Sequence, residues 1–152
     1  KRTLDGLPYI HDITTDTDNP PLFVDAERLR KEGDHPVAYD GSEVAAEQKK
    51  AYPDIGPLIV PMPRDKVFDA AHEVLADLGL KLSGEDRAQG RIEASSTSFW
   101  YGFVDDVVIR ITEAAQGTRV DVRSKSRVGR SDLGQNAKRV RAILAGLKAR
   151  LG

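Results

Sequence analysis

The chain has 152 residues, of which 39% are hydrophobic and 31% charged, which is the composition of a globular protein with a single core. Only 6% of the residues are aromatic, so Val, Leu, Ile and Ala must build most of that core. The absence of cysteine excludes disulfides and thiolate chemistry. No stretch of the sequence approaches the roughly 18 apolar residues of a membrane span.

The net charge of −1 is unevenly distributed along the chain. Residues 118–152 contain ten Arg or Lys residues and two Asp residues, so this part carries +8 and residues 1–117 carry −9. Domains that bind nucleic acid usually have a clearly basic pI, whereas the pI here is about 6.4. We therefore expect the two parts to attract one another, and we expect no nucleic-acid partner.

Residues 1–56 show no regular hydrophobic period. The stretch HDITTDTDNPPLF contains a Pro-Pro pair, which removes backbone donors and restricts the preceding residue, so it predicts an extended arm. DAERLRKEG predicts at most a helical turn, and SEVAAEQKKAY (42–52) predicts a short helix that stops at Pro53. We expect this irregular arm to pack on the rest of the domain through Ile10, Ile13, Leu22, Phe23 and Tyr52.

From residue 57 the pattern is regular. PLIVPMP predicts a short strand at an edge or bulge, and RDKVFDAAHEVLADLG predicts a helix with one apolar face that ends near Gly79. LKLSGED and GRIEASSTS predict two strands around a turn at 86–89. In the last predicted helix Asp132 is the expected N-cap and Gln135 its capping-box partner, and the buried residues are expected to be Val140, Ile143, Leu144 and Leu147.

The two longest alternating stretches predict a hairpin, with strands at 104–113 and 118–128 joined by the loop AAQG. A register in which paired residue numbers sum to 231 aligns the apolar residues on one face and places Arg110 opposite Asp121 and Asp106 opposite Lys125. A shift by one residue would destroy both matches. We therefore interpret Arg123 and Lys125 as part of an exposed structural face, paired across the hairpin.

The order strand, helix, four strands, helix predicts an α+β protein. Short connections between consecutive strands indicate an antiparallel meander, and the one-sided helices should both lie on one face of the sheet. We expect one domain with the architecture of a two-layer sandwich of the helix-grip type (57–152), together with the irregular N-terminal arm (1–56).

The stretch RSKSRVGRSDLGQN, residues 123–136 and hereafter the Arg-Ser segment, suggests an anion site. Gly129 and Gly134 flank Ser131 at the start of a predicted helix, where backbone N–H groups favour phosphate. The candidate residues for a phosphate or lipid headgroup are Arg127, Arg130 and Ser131. A carboxylate from Asp132 at the same place would repel an anion, and the spacing matches neither a Walker loop nor a dinucleotide fingerprint.

The run SFWYGF (98–103) is the densest aromatic stretch, and it falls between two predicted strands. One interpretation is contact with a partner or a membrane interface through Phe99, Trp100, Tyr101 and Phe103. The alternative is that these rings cover an open end of the core beneath the arm.

No constellation typical of catalysis is present. His11 and Asp12 are weak candidates for a metal site, because their surroundings lack the ligand spacing of zinc or calcium sites, and irregular turns explain the acidic residues equally well. The serines of the Arg-Ser segment lack a nucleophile elbow, and Asp105 and Asp106 should point to opposite faces of their strand. We expect no cofactor, and an enzyme is the less favoured class.

The segment VRSKSRVGRSDLGQNAKRVRAIL resembles the hallmark of the bacterial and plastid family called domain of unknown function 1499, an Arg-Ser-x-Ser-Arg-x-Gly-x-Ser-Asp-x-Gly-x-Asn run before a terminal helix. FVDDVVIRI is similar to its Asp-Asp strand and IHDITTDTDNPP to its N-terminal segment, so the resemblance covers nearly the whole chain. The resemblance implies no activity, because none is established for the family. Many members carry membrane segments ahead of the domain, which implies proximity to a membrane through a segment outside this chain.

Two functional hypotheses remain. The first is a non-catalytic binding or scaffolding domain of the bacterial envelope, periplasmic or membrane-anchored, with a protein or lipid partner; a cytoplasmic location stays open. The alternative is a small-ligand, anion or lipid-headgroup binding protein, or an enzyme, with its site around the Arg-Ser segment.

Overall fold

A computed structural model describes residues 6, 8–97, 103–129 and 134–152. The arm contains a strand, β1, and two helices, α1 and α2. From residue 57 the predicted order of strand, helix, four strands and helix is confirmed. In chain order the elements are β1 (Asp12–Thr14), α1 (Asp25–Arg28), α2 (Ser42–Ala51), β2 (Leu58–Val60), α3 (Arg64–Asp77), β3 (Lys81–Asp86), β4 (Arg91–Thr97), β5 (Val104–Ala114), β6 (Gly117–Ser126) and α4 (Gln135–Leu151).

The described strands form one antiparallel sheet in the order β1-β6-β5-β4-β3, and β2 also pairs with β6. Two short strands therefore share the outer edge of β6: β1 pairs with residues 123–125 and β2 with residues 118–120. The sequence did not predict β1, because three residues are too few to show an alternating pattern. The fold is α+β, with α3 and α4 packed on one face of the sheet, as predicted for a helix-grip arrangement.

The predicted hairpin register is confirmed along its whole length. Arg110 lies opposite Asp121 and Asp106 lies opposite Lys125, and all paired numbers sum to 231. The connection is shorter than predicted, because the ladder continues to the pair of Ala114 and Gly117 and leaves only a two-residue turn. Gly117 has a φ of +136°, a conformation that residues with a side chain rarely adopt.

The helix-covered face of the sheet is apolar. α4 buries Val140, Ile143 and Leu147 completely, as predicted, whereas Leu144 is only partly buried at the margin of the core. Their partners on the sheet include Ile92, Val107, Ile109, Ile111, Val120 and Val122, all nearly inaccessible to solvent. Within the described part of the chain, no helix combines the length and the apolar character needed to cross a membrane.

α4 begins at Gln135, and its N-cap residue is Gly134, not Asp132. Gly134 has a left-handed backbone with a φ of +82°, which cannot belong to a right-handed helix. The capping-box pattern therefore placed the start too early. Asp132 itself lies outside the described residues.

Part of the arm covers the other face of the sheet, where Phe23 packs on Ala26 and Val108. Ile10, Ile13 and Tyr52 are also buried as expected, but in the main core with α3 and α4, and Leu22 is 74% exposed. Neighbouring residues of an extended segment point in opposite directions, so only one of the pair Leu22 and Phe23 can face the sheet. Arg123 and Lys125 are each only 1% exposed beneath the arm, which corrects the prediction that they form an exposed face.

A carboxylate from the sheet holds α1 in place. Glu93 of β4 is buried and accepts hydrogen bonds from the backbone N–H groups of Val24, Asp25 and Ala26, at 2.8 to 3.0 Å. Arg91 also donates to Glu93, at 2.5 Å. A buried carboxylate is thus satisfied by the unpaired donors at the start of a short helix.

The hairpin turn provides a stability test. A methyl group at Gly117 would overlap the carbonyl oxygen of Val60, and the positive φ adds backbone strain. We expect Gly117→Ala to lower the free energy of unfolding by roughly 1–3 kcal/mol, measured by urea denaturation. Gly56→Ala is the matched control, because no atom lies within 4 Å of a Cβ there and no positive φ is required. Equal stability of the two variants would contradict the close packing of β2 on the turn.

Candidate binding site at one end of the sheet

Strand alternation divides the described part of the Arg-Ser segment into two rows. Ser124 and Ser126 face α4, on the same side of the sheet as Val120 and Val122, and Arg123 and Lys125 face the arm. The two rows form separate polar networks at the same end of the sheet.

The network on the helix side joins α4 to the strands. Ser124 Oγ donates to Asn136 Oδ1 at 2.5 Å, and Asn136 Nδ2 donates to Ser126 Oγ at 2.8 Å. Arg139 Nη1 lies 2.8 Å from Asp105 Oδ2 and 3.3 Å from Ser124 Oγ. The serine hydroxyls are therefore bonded to an amide and a guanidinium instead of a base, so this network has the properties of a structural junction.

On the arm side, Arg123 binds several stretches of the arm at once. Its Nε and Nη2 donate to the two carboxylate oxygens of Asp12, at 2.9 and 2.8 Å. Nη1 donates to the Pro21 carbonyl at 2.9 Å, and Nη2 also donates to the Val37 carbonyl at 2.7 Å. The guanidinium lies over the ring of Phe23, at 4.7 Å from the centroid. A buried guanidinium with this many partners fixes the path of the chain.

Lys125 lies beside this pair. Its Nζ donates to the Ala38 carbonyl at 2.8 Å and is 3.3 Å from Asp12 Oδ2. Burial lowers the pKa of Lys125, and the charge of Asp12 opposes that shift. Burial also raises the pKa of Tyr39 to about 12, and its hydroxyl has no hydrogen-bond partner within the described residues. Two cations and one carboxylate thus share a site shielded from water.

Asp105 and Asp106 point to opposite faces of β5, as predicted, and each binds arginine. Asp106 accepts from Arg127 Nε at 2.8 Å and Nη2 at 2.9 Å, and also from Arg30. Its register partner Lys125 binds Asp12 instead, because the arm supplies a competing carboxylate.

The proposed anion residues lie partly outside the described structure. The side chain of Arg127 is 14% exposed, and its guanidinium already forms a bidentate pair with Asp106. Arg130 and Ser131 lie outside the described residues, so anion binding there stays a prediction.

The same end of the sheet exposes apolar side chains. Arg127 N donates to Val104 O at 3.0 Å, which continues the pairing one residue beyond β6, and Phe103 and Val128 are the next residues outward on the two chains. Phe103 is 56% exposed and Val128 is 38% exposed. Of the predicted contact residues, Phe99, Trp100 and Tyr101 lie outside the described structure, and a contact role for the aromatic run stays a prediction.

A pair of histidines borders a cavity near this end. The rings of His11 and His35 stack at 3.8 Å between centroids, with 12° between their planes. His35 Nε2 lies 2.6 Å from the Gly129 carbonyl oxygen. Burial, His35 and Lys125 lower the pKa of His11. The cavity of about 410 Å³ is lined by Tyr9, Ile10, His11, His35, Glu43, Val44 and Glu47.

The sequence did not reveal this pair, because the two histidines are far apart in the chain and no local pattern joins them. It considered only His11, with Asp12, as a weak metal candidate. Both oxygens of Asp12 accept from Arg123, so the structure joins Asp12 to a guanidinium and His11 to a second imidazole.

The fold and these networks define a small α+β domain whose sheet is covered by helices on one face and by an N-terminal arm on the other. The chain belongs to the family described as "Protein of unknown function (DUF1499)", whose profile matches residues 12–147. No curated protein matches the chain.

Two solved structures are similar in part. Protein CV1439 from Chromobacterium violaceum is 13% identical, with a TM-score of 0.37, over 62% of this chain and 94% of that one. Protein TTHA0849 from Thermus thermophilus is 12% identical, with a TM-score of 0.36, over 62% of this chain and 93% of that one.

The arm-side network predicts a large effect of Arg123. Arg123→Met should lower the free energy of unfolding by about 3–5 kcal/mol, because it removes the main partner of the buried carboxylate of Asp12. Arg141→Met is the control: its side chain is 45% exposed and pairs with Asp54, which is 57% exposed, so its loss should cost roughly 0–1 kcal/mol. Urea denaturation measures both values. If the two variants lose the same amount of unfolding free energy, Arg123 does not hold the arm on the sheet.

The helix-side network predicts a smaller effect of Asn136. Asn136→Ala should cost about 1–3 kcal/mol, because Ser124 and Ser126 would lose buried hydrogen-bond partners. The neighbouring exposed residue Gln135 provides the control Gln135→Ala, which should be nearly neutral. Thermal unfolding followed by circular dichroism distinguishes the two variants. If Asn136→Ala leaves the stability unchanged, the hydrogen bonds of Asn136 do not hold α4 on the strands.

Proposed function

We propose that this protein is a non-catalytic binding domain of the bacterial envelope, periplasmic or membrane-anchored, which contacts the bilayer interface through the end of the sheet that carries Phe103 and Val128. The observation that carries the proposal is the exposure of these two apolar side chains, 56% and 38%, at the end of an ordered antiparallel ladder. Single exposed apolar residues are common, but two at adjacent positions next to an aromatic run form a patch.

The chemistry of the aromatic run supports a bilayer interface as the partner. Trp and Tyr are amphipathic, and they concentrate at the level of the lipid headgroups. The run connects Thr97 of β4 to Val104 of β5, which pair directly in the sheet. A contact made at this end would therefore be supported by two hydrogen-bonded strands.

The polar networks favour a binding role over catalysis. Ser124, Asp105 and Asp106 are each hydrogen-bonded to Asn136 or to arginines. His72, on α3, pairs with Glu85 at 2.5 Å, on a different part of the surface. Among the described residues, these serines and carboxylates therefore have structural partners and lack the adjacent base that acyl transfer needs.

Fluorescence provides a direct test, because Trp100 is the only tryptophan of the chain and lies in the aromatic run. Vesicles of phosphatidylethanolamine and phosphatidylglycerol should shift its emission to shorter wavelength and should sediment with the protein. Phe103→Ser should weaken binding about fivefold, since withdrawing a partly buried aromatic ring from the interface costs roughly 1 kcal/mol.

Ile59→Ser is the matched control, because Ile59 is 55% exposed on β2, which pairs with the opposite end of β6. This variant should bind vesicles like the original protein. An unchanged Trp100 spectrum with vesicles, or equal effects of the two substitutions, would refute the proposed contact.

The cavity beside the histidine pair favours a second candidate function, which is binding of a small ligand. Its walls combine two imidazoles with the carboxylates of Glu43 and Glu47 and the apolar side chains of Ile10 and Val44. Two carboxylates favour a small cationic ligand over an anion, so heteronuclear NMR with choline and, separately, with inorganic phosphate would test this role. Saturable shifts at His11 and His35 with choline would support it, and phosphate shifts confined to Arg127 and Gly129 would instead indicate the anion site predicted from the Arg-Ser segment.

A further inference from the structure

We propose that residues 34–40, hereafter the latch, form a pH-sensitive segment of the arm that separates from the sheet when His11, stacked on His35 of the latch, takes up a proton. This proposal does not rest on the bilayer contact, although His35 binds the carbonyl groups of Arg127 and Gly129 on either side of Val128.

Backbone carbonyl groups hold the latch on the sheet. Arg30 Nε donates to the His35 carbonyl at 2.8 Å, Arg123 Nη2 to the Val37 carbonyl at 2.7 Å, and Lys125 Nζ to the Ala38 carbonyl at 2.8 Å. A carbonyl group brings no compensating charge. Arg30 pairs with Asp106, and Arg123 and Lys125 share Asp12, so these three cations have two carboxylates between them and a net positive charge lies beneath the latch. Additional positive charge beside the closed latch is therefore disfavoured.

The two histidines join the latch to β1. His35 belongs to the latch and His11 directly precedes β1, and their rings stack at 3.8 Å. Backbone bonds hold both residues against the end of β6: Ser126 N donates to His11 O at 2.8 Å, and His35 N donates to Arg127 O at 2.6 Å. The stacked ring of His35 helps to bury His11, so a charged His11 is disfavoured while the two rings are in contact.

Some charges near the two histidines lower the pKa of His11 and others raise it. Burial lowers the pKa of His11, and His35 and Lys125 lower it further, whereas Asp12 and Asp40 raise it; the lowering effects are the larger. Asp12 is already bonded to Arg123 and Lys125. Asp40 is exposed, so solvent weakens the effect of its charge on the pKa of His11. The remaining titratable and charged groups around the latch are Tyr9, Asp34, Tyr39, Glu43, Glu47, Arg30 and Arg127.

The direction of the pH effect follows from linkage. His11 in the closed latch has a pKa below the ordinary value of 6.5, so the open form binds more protons between these two pKa values. The closed form is therefore fully stable above pH 6.5 and loses stability as the pH falls towards the pKa of His11 in the closed form. The change falls in the mildly acidic range in which histidine acts as a switch.

The latch can separate without opening the main core. Pro36, Ala38 and Asp40 are exposed, and Val37 contacts only the small apolar cluster of Phe23, Ala26 and Val108. Separation would uncover Lys125 and widen the cavity between the histidines and α2. Local opening of this kind costs less free energy than global unfolding.

Amide hydrogen exchange with mass spectrometry tests the latch, at about pH 5 and about pH 7.5, after correction for intrinsic exchange rates. We expect a severalfold loss of protection in peptides that cover residues 34–40 at the lower pH, while peptides from β5 and β6 keep their protection. Parallel loss of protection in the strands would mean global acid unfolding and would overturn the proposal, as would an unchanged latch.

Substitutions identify the titrating groups. His11→Gln keeps a polar side chain that does not titrate, and it should abolish most of the pH dependence in the latch. His72→Gln is the control, because His72 pairs with Glu85 on α3 and β3, and it should leave the dependence intact. A dependence that survives His11→Gln would refute the histidine switch.

A titration of the unmodified protein by NMR keeps the test decisive if a variant fails to fold. The imidazole of His11 should titrate below the ordinary value of 6.5, and the latch amides should shift in the same pH range. Titration of His11 at or above that value, or latch shifts in a different range, would overturn the proposal.

Discussion

The arrangement of the arm depends on the buried ion pair between Arg123 and Asp12. Removing two charges from water is costly, and the attraction between them repays that cost only if their remaining hydrogen-bonding groups are also satisfied. Here the guanidinium also donates to the carbonyls of Pro21 and Val37, and Lys125 lies 3.3 Å from the same carboxylate. One side chain of β6 therefore determines where three separate parts of the arm lie.

The two faces of the sheet are stabilised in different ways. Under α3 and α4 the contacts are mainly apolar, apart from the network around Asn136, and their strength depends on buried area more than on direction. Under the arm, ion pairs and carbonyl groups dominate, and these interactions require defined distances and angles. An irregular chain has no hydrophobic stripe to orient it, so directional contacts to Arg123 and Glu93 set its path instead.

Local patterns predicted the local structure. The alternation in β5 and β6 fixed the register that places Arg110 opposite Asp121, since a shift by one residue would reverse every side chain. The same alternation could assign Arg123 to a face but could not show that the arm covers it, because its partner Asp12 is 111 residues away. The stacking of His11 on His35 depends on the path of the arm, and no sequence pattern encodes that path.

Internal contacts account for the described part of the Arg-Ser segment without any ligand. Its serines bind Asn136 at the start of α4, Arg123 and Lys125 bind the arm, and Arg127 binds Asp106. A sequence motif that satisfies its own polar groups indicates a structural role, because a binding site needs groups whose partners come from outside. In this chain the motif joins helix, sheet and arm at one end of the sheet. Within the described part of the chain, this junction supports two features at its surface: the exposed side chains of Phe103 and Val128, and the cavity beside the two histidines.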